Sequence, residues 1–279
     1  MTDPRGRYLR IQAELGGSEL ILTRRVDQSL GETKQDGEGP GEGRSETKRI
    51  QASREELRAA PEAPSRTRKD WRNDAPPIPG PGLTIVSETP RLDSPPGFSS
   101  LDEVAAAIRE CQKCFLCRGR TNTVPGEGDP AARLMCVGEG PGETEDRTGR
   151  PFVGKAGELL TDILAAIELP REQVYIANVV KCRPPQNRKP LPEEMVACLP
   201  FLRNQIQLIR PRVLLALGAT AAEGLLGVKK SLSELRGKVH RWDGIPLIVT
   251  YHPAALLRNP NWKKHTWDDV RIARQLLDA

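Results

Sequence analysis

Val213-Leu214-Leu215-Ala216-Leu217-Gly218 is an apolar run of strand length closed by a glycine, and a helical pattern over 219–226 follows it without a linker. That succession decides the fold class. Three more runs share its character, at 134–138, 174–180 and 247–251, each apolar, partly β-branched and bounded by Gly or Pro. Helical patterns lie between or after them, at 156–167, 192–209 and 267–277. Buried strands alternating with helices predict a three-layer α/β/α domain around a central, mainly parallel four-stranded sheet. Ligands bind such sheets beyond the carboxyl ends of the strands, so the residues that follow each strand deserve the closest reading.

The domain is expected to open at residue 100. Ser100 precedes Leu101-Asp102-Glu103-Val104 as a helix N-cap, and Glu103 stands where the return half of a capping box would be. The helix runs into Cys111. Residues 1–99 are rich in Gly, Pro, Ser, Arg and Glu and read as a disordered extension and linker, extended where proline is dense, as in Pro76-Pro77-Ile78-Pro79-Gly80-Pro81. Within it a short helix is expected near 8–15 or 54–60. The question of function therefore rests on residues 100–279, because the extension offers no apolar periodicity from which to build a core.

The 279 residues carry a formal net charge of +5, which suits an anionic partner without specifying one. No apolar stretch is long enough to span a membrane and no signal-peptide core stands at the N-terminus, so a cytoplasmic protein is expected. In a reducing compartment six cysteines favour metal or cluster ligation over disulfides. Cys114 and Cys117 form a C-x2-C pair, Cys182 follows the second strand, and Cys198 lies inside the helix that begins near 192. Four thiolates so placed can converge on a tetrahedral zinc or on a cubane cluster, and spacing does not separate the two. Cys136 alternates within the first strand as a core residue, whereas Cys111 stands one spacing upstream of the pair.

The strand ends carry the other motifs. Gly138-Glu139-Gly140-Pro141-Gly142-Glu143 follows the first strand. A phosphate-cradling loop is disfavoured there, because Glu139 and Glu143 repel phosphate and no helix is expected directly after the glycines. Glycines let the backbone come close to a ligand instead. Asn178 lies in an otherwise apolar strand, where its amide needs partners; it offers a donor and an acceptor side by side, as the polar edge of a flat heterocycle requires. His252 ends the fourth strand in Tyr251-His252-Pro253-Ala254-Ala255-Leu256-Leu257-Arg258 and is one of three histidines in the chain.

In combination, Gly138–Glu143, Gly149-Arg150-Pro151-Phe152-Val153-Gly154-Lys155-Ala156-Gly157, Asn178-Val179-Val180-Lys181-Cys182-Arg183-Pro184-Pro185-Gln186-Asn187-Arg188 and His252–Pro260 resemble the family 4 uracil-DNA glycosylases. The resemblance runs from about Cys111 to the C-terminus and does not cover the extension. It implies a uracil-DNA glycosylase fold and a [4Fe–4S] cluster on Cys114, Cys117, Cys182 and Cys198, with Cys111 as a spectator. It also implies a monomer that hydrolyses the base–sugar bond of deoxyuridine in single- or double-stranded DNA, on a flipped nucleotide.

The same resemblance distributes the roles. Phe152 stacks on uracil, Asn178 reads its polar edge, Glu145 walls the pocket near C5, and Gly142 belongs to the base-binding loop. His252, as a neutral donor, stabilises charge developing on uracil O2. Gly140 stands where other superfamily members place an Asp, which leaves Glu139 and the backbone of Gly140 to position water. Leu256 or Leu257 wedges into the vacated stack, and Arg258, Arg183 and Arg188 contact phosphates. Two other readings stand beside this one: a related glycosylase that forms a covalent adduct with uracil-DNA, for which His240 is the nearest nucleophile, and a non-catalytic iron–sulfur protein that binds nucleic acid.

Overall fold

The computed structural model describes residues 70–85 and 97–279. The four expected strands form the centre of the sheet: β3 (Leu134–Gly138), β4 (Tyr175–Asn178), β5 (Val213–Leu217) and β7 (Ile245–Thr250). They run parallel to their neighbours in the order β7-β5-β3-β4. Among the described residues the sheet has seven strands rather than four. β2 (Glu127–Gly128) pairs antiparallel with β4, and β6 (Val239–Trp242) pairs antiparallel with β7 and parallel with β1 (Pro81–Ile85).

β1 lies inside the stretch that the sequence assigns to the tail, so the expected boundary at 99 does not hold for residues 70–85. Prolines remove donors but not acceptors. Long side chains of the last helix, α8 (Lys263–Asp278), satisfy this segment: Arg271 donates to the Asn73 carbonyl at 3.0 Å and Gln275 to that of Pro76 at 2.9 Å. Trp71 is buried and donates its indole N–H to Glu168. The rest of the expected extension, including both suggested helices, lies outside the described residues.

Successive side chains of the central strands alternate between two cores. Met135 and Val137 of β3, with Leu214 and Ala216 of β5, join one cluster with α1 (Leu101–Arg109), α4 (Pro192–Ile209) and α5 (Ala219–Leu226). Leu134 and Cys136, with Leu215 and Leu217, join the other with α3 (Lys155–Ala166) and α8. Cys136 is thus a core residue, and burial pushes its thiol up to about 12. Fully apolar strands are what a sheet covered on both faces demands.

Ser100 caps α1 as expected, its hydroxyl accepting from the Glu103 N–H at 3.2 Å. The Glu103 carboxylate returns to Ser99 rather than Ser100, bonding its N–H at 2.7 Å and its hydroxyl at 2.6 Å. Among the described residues no helix is long and apolar enough to cross a membrane.

Candidate active site

Gly138 closes β3 opposite Asn178 on β4, and β5 lies beside β7, whose last residue Thr250 stands two positions before His252. The side chains that follow these strand ends enclose a cavity of about 390 Å3. Glu139, Gly140, Gly142, Glu145, Phe152, Asn178 and His252 all line it, so the expected catalytic and base-reading residues are brought together.

Phe152 sits in the left-handed region at φ 51°, a conformation that costs an aromatic residue energy and needs support. Arg171 supplies it, donating to the carbonyls of Phe152 at 2.9 Å and Pro151 at 2.6 Å. A Cβ at Gly157 would fall 1.9 Å from the Phe152 carbonyl oxygen, so α3 packs directly onto this turn. At Gly138 a Cβ would meet Asn178 Oδ1 at 2.4 Å and Phe152 Cζ at 2.6 Å. The bare backbone there lets amide and ring share one wall. Asn178 Oδ1 is buried without a protein partner, an arrangement that costs about 1–3 kcal/mol unless a ligand donates to it.

His252 caps the helix α7 (Pro253–Arg258), its Nδ1 accepting from the Ala254 N–H at 3.2 Å. An accepting Nδ1 assigns the proton of the neutral ring to Nε2. Burial, then the charge of Arg258, lowers the His252 pKa to about 4, with the Glu145 charge opposing. The ring is therefore an uncharged donor at neutral pH. It lies 5.4 Å from the Phe152 ring, centroid to centroid.

A helix, α2 (Glu143–Thr148), does begin directly after the glycines, contrary to expectation. Its own Glu145 satisfies its start: one carboxylate oxygen accepts from the Gly142 N–H at 3.1 Å, the other from Val153 at 2.9 Å and Gly154 at 3.0 Å. Glu145 thus ties the glycine loop to the Phe152 turn while lining the cavity. Glu139 is held by a side chain that the sequence reading passed over, the Thr220 hydroxyl at 2.5 Å. Thr220 opens the helix after β5, and the strand-end rule applied to that strand would have found it.

The residues expected on DNA divide. Arg188 and Arg258 line the cavity, but Arg188 makes a two-pronged pair with the buried Glu194 at 2.7 and 2.8 Å and serves as an internal brace. Arg183 bonds Asn187 Oδ1 at 2.8 Å and Glu143 at 3.4 Å. Leu256 is fully buried in α7 and is no wedge; Leu257, at 46% exposure, is the leucine turned outward. His240 is also fully buried. Its Nδ1 accepts from the Leu83 N–H at 3.0 Å and its Nε2 lies 2.7 Å from the Leu235 carbonyl, so it has no free nitrogen for an adduct.

A second cavity is lined by Cys111, Cys114, Cys117, Cys182 and Cys198, five thiols rather than four. Burial raises the pKa of the Cys114 and Cys182 thiols and pushes that of Cys198 up to about 12. Two donors point at sulfur: Arg120 Nη1 lies 3.3 Å from Cys182 Sγ, and the Lys181 N–H lies 3.3 Å from Cys198 Sγ. Among the described residues no three His, Cys, Asp or Glu side chains converge closely enough to hold one metal ion.

A family profile described as the uracil DNA glycosylase superfamily matches residues 125–271, more than half of the chain. The chain is 52% identical over 181 residues to the type-4 uracil-DNA glycosylase of Thermotoga maritima, a match that covers 63% of this chain and 94% of the relative. To that of Sulfurisphaera tokodaii it is 45% identical over 188 residues, covering 64% and 86%. To the type-5 uracil-DNA glycosylase of Thermus thermophilus it is 38% identical over 149 residues, covering 46% and 68%.

Proposed function

Since the chain belongs to the uracil-DNA glycosylase superfamily and to its type-4 branch, we propose that it hydrolyses the N-glycosidic bond of deoxyuridine in DNA, releasing uracil and leaving an abasic site. The observation that carries this reading is His252, whose Nδ1 is taken by Ala254, leaving a neutral Nε2–H for the cavity shared with Phe152 and Asn178. Cleavage puts negative charge on the leaving uracil, and a fixed donor near O2 lowers that barrier electrostatically. Phe152 stacks on the base, and the unpaired Asn178 oxygen accepts from N3–H. Glu145 holds the loop that meets C5. Glu139, oriented by Thr220, positions the attacking water with the backbone of Gly140 and Gly142. Leu257 and Arg258 meet the strand.

The five-thiol cavity fits a [4Fe–4S] cluster: the donors are soft and two N–H groups point at sulfur. When bound, the cluster would order the cysteine turn and the loop after β4. Cys114, Cys182 and Cys198 are three of its ligands. For the fourth, the surroundings favour Cys111 over Cys117. Cys111 and Cys114 pack on the same core as Cys182 and Cys198, and both lie within electrostatic reach of the Cys182 thiol. Arg120 Nη1 bonds the Cys111 carbonyl at 2.8 Å as well as Cys182. We read the protein as a cytoplasmic monomer that accepts single- or double-stranded DNA.

The test is cleavage of a single-uracil oligonucleotide followed by alkali, with a thymine control. Scission with uracil alone, lost in His252→Ala and Asn178→Ala, supports the reading. No scission by cluster-loaded protein refutes it and leaves an iron–sulfur protein that only binds nucleic acid.

A further inference from the structure

We propose that Phe115 and the groove beside it seat a nucleobase of the substrate strand next to the extruded uridine, an inference that rests on the glycosylase reading. Phe115 lies in the 3-10 turn Phe115–Arg118, directly after Cys114. Leu116 anchors that turn in the core at 2% exposure, and the flanking Cys114 and Cys117 line the thiol cavity. Three of four consecutive side chains are thereby committed inward, and Phe115 is left 61% exposed. The Arg118 guanidinium stands over its ring, 5.3 Å from the centroid.

A single exposed aromatic is unremarkable on a surface. Phe115, however, borders a groove of about 250 Å3 whose other walls include Gly119, Arg183, Pro184, Pro185 and Gln186. Pro184 also lines the uracil cavity, so one proline ring separates the groove from the site of chemistry. Arg183 joins them a second time, since its partner Asn187 lines the same cavity. Among the described residues no carboxylate lines the groove; Glu143 approaches Arg183 Nη2 from outside it at 3.4 Å. An aromatic face with a guanidinium on it, beside a second arginine and continuous with the cavity, fits a flat base stacked on Phe115 with its phosphate toward Arg183.

The experiment uses the full, cluster-loaded chain and single-stranded oligonucleotides that carry a non-cleavable 2′-fluoro-deoxyuridine. Binding is measured for wild type, Phe115→Ala and Phe115→Trp, with each neighbouring base in turn replaced by an abasic nucleotide. Phe115→Ala is expected to weaken binding about tenfold, with Phe115→Trp close to wild type. One abasic position should weaken wild type equally and weaken Phe115→Ala no further, because both changes remove the same contact. Unchanged affinity in Phe115→Ala, or losses that simply add at every position, overturns the proposal. If wild type excises no uracil while the non-additive pattern holds, the catalytic reading fails and the stacking site survives.

Discussion

Lys181 joins the two cavities: its Nζ donates to the Asn178 carbonyl at 2.8 Å, while its backbone N–H donates to Cys198 Sγ at 3.3 Å. The ammonium is buried, with Gln205 Oε1 as its other partner at 2.7 Å. Burial lowers its pKa to about 8. Asn178 is therefore held from behind by a side chain whose main chain borders the thiol cavity.

Lys181→Met keeps the stem and deletes both donations. Hydrogen bonds to a charged group contribute about 1.5–3 kcal/mol, so a loss of about 2 kcal/mol is expected in denaturant melts of the loaded protein. A variant as stable as wild type would show that desolvating the ammonium costs as much as its bonds return.

The fourth cluster ligand is open to direct measurement. Cys111→Ser is expected to lose most of the bound iron and the visible absorbance of the purified protein, whereas Cys117→Ser keeps both. The opposite pattern would restore Cys117 to the ligand set.

His252 sets an acid limit. An unfolded histidine titrates near 6.5, and in the fold the value falls to about 4. The unfolded chain binds this proton first, so the residue's contribution to stability is present above about pH 6.5 and is lost as the pH falls through about 4. Single-turnover excision should persist below pH 6 and decline near 4. Arg258→Ala, which removes a repelling charge, should move the decline upward. A decline centred near 6.5 in wild type would contradict the buried, neutral ring.

Gly138→Ala forces a Cβ between Asn178 and Phe152. Overpacking of this kind costs about 1–3 kcal/mol and displaces both groups. Excision should fall at least a hundredfold while the melting transition stays cooperative. Near-normal excision would mean that the wall yields more easily than its contacts imply.

The central strands were legible because each is apolar on both faces and ends at a glycine or a polar switch. β2 has two residues, β1 hides in a proline-rich stretch, and β6, Val239-His240-Arg241-Trp242, alternates but is short. The strand-end rule found Asn178 and His252, since each follows or closes a strand whatever the sheet order. Thr220 was open to the same rule, but its pairing with Glu139, like that of Lys181 with Gln205, depends on which elements lie side by side, and that neighbourhood is not written locally. Leucine phase in a six-residue helix decides between Leu256 and Leu257. The buried Glu194 takes Arg188 from a surface role that charge alone suggests.

β1 also has a protective side. Without it β6 would end the sheet with open hydrogen-bonding groups, a template for recruiting a strand from another molecule. β1 fills that row in parallel from Pro81 to Ile85 with a shift of register between Pro81 and Thr84, and within that irregular stretch His240 Nδ1 accepts from the Leu83 N–H. Pro79 and Pro81 then present no amide hydrogens where the new border begins. A segment that reads as linker works as a selvage, keeping the sheet from fraying into its neighbours in a crowded cell.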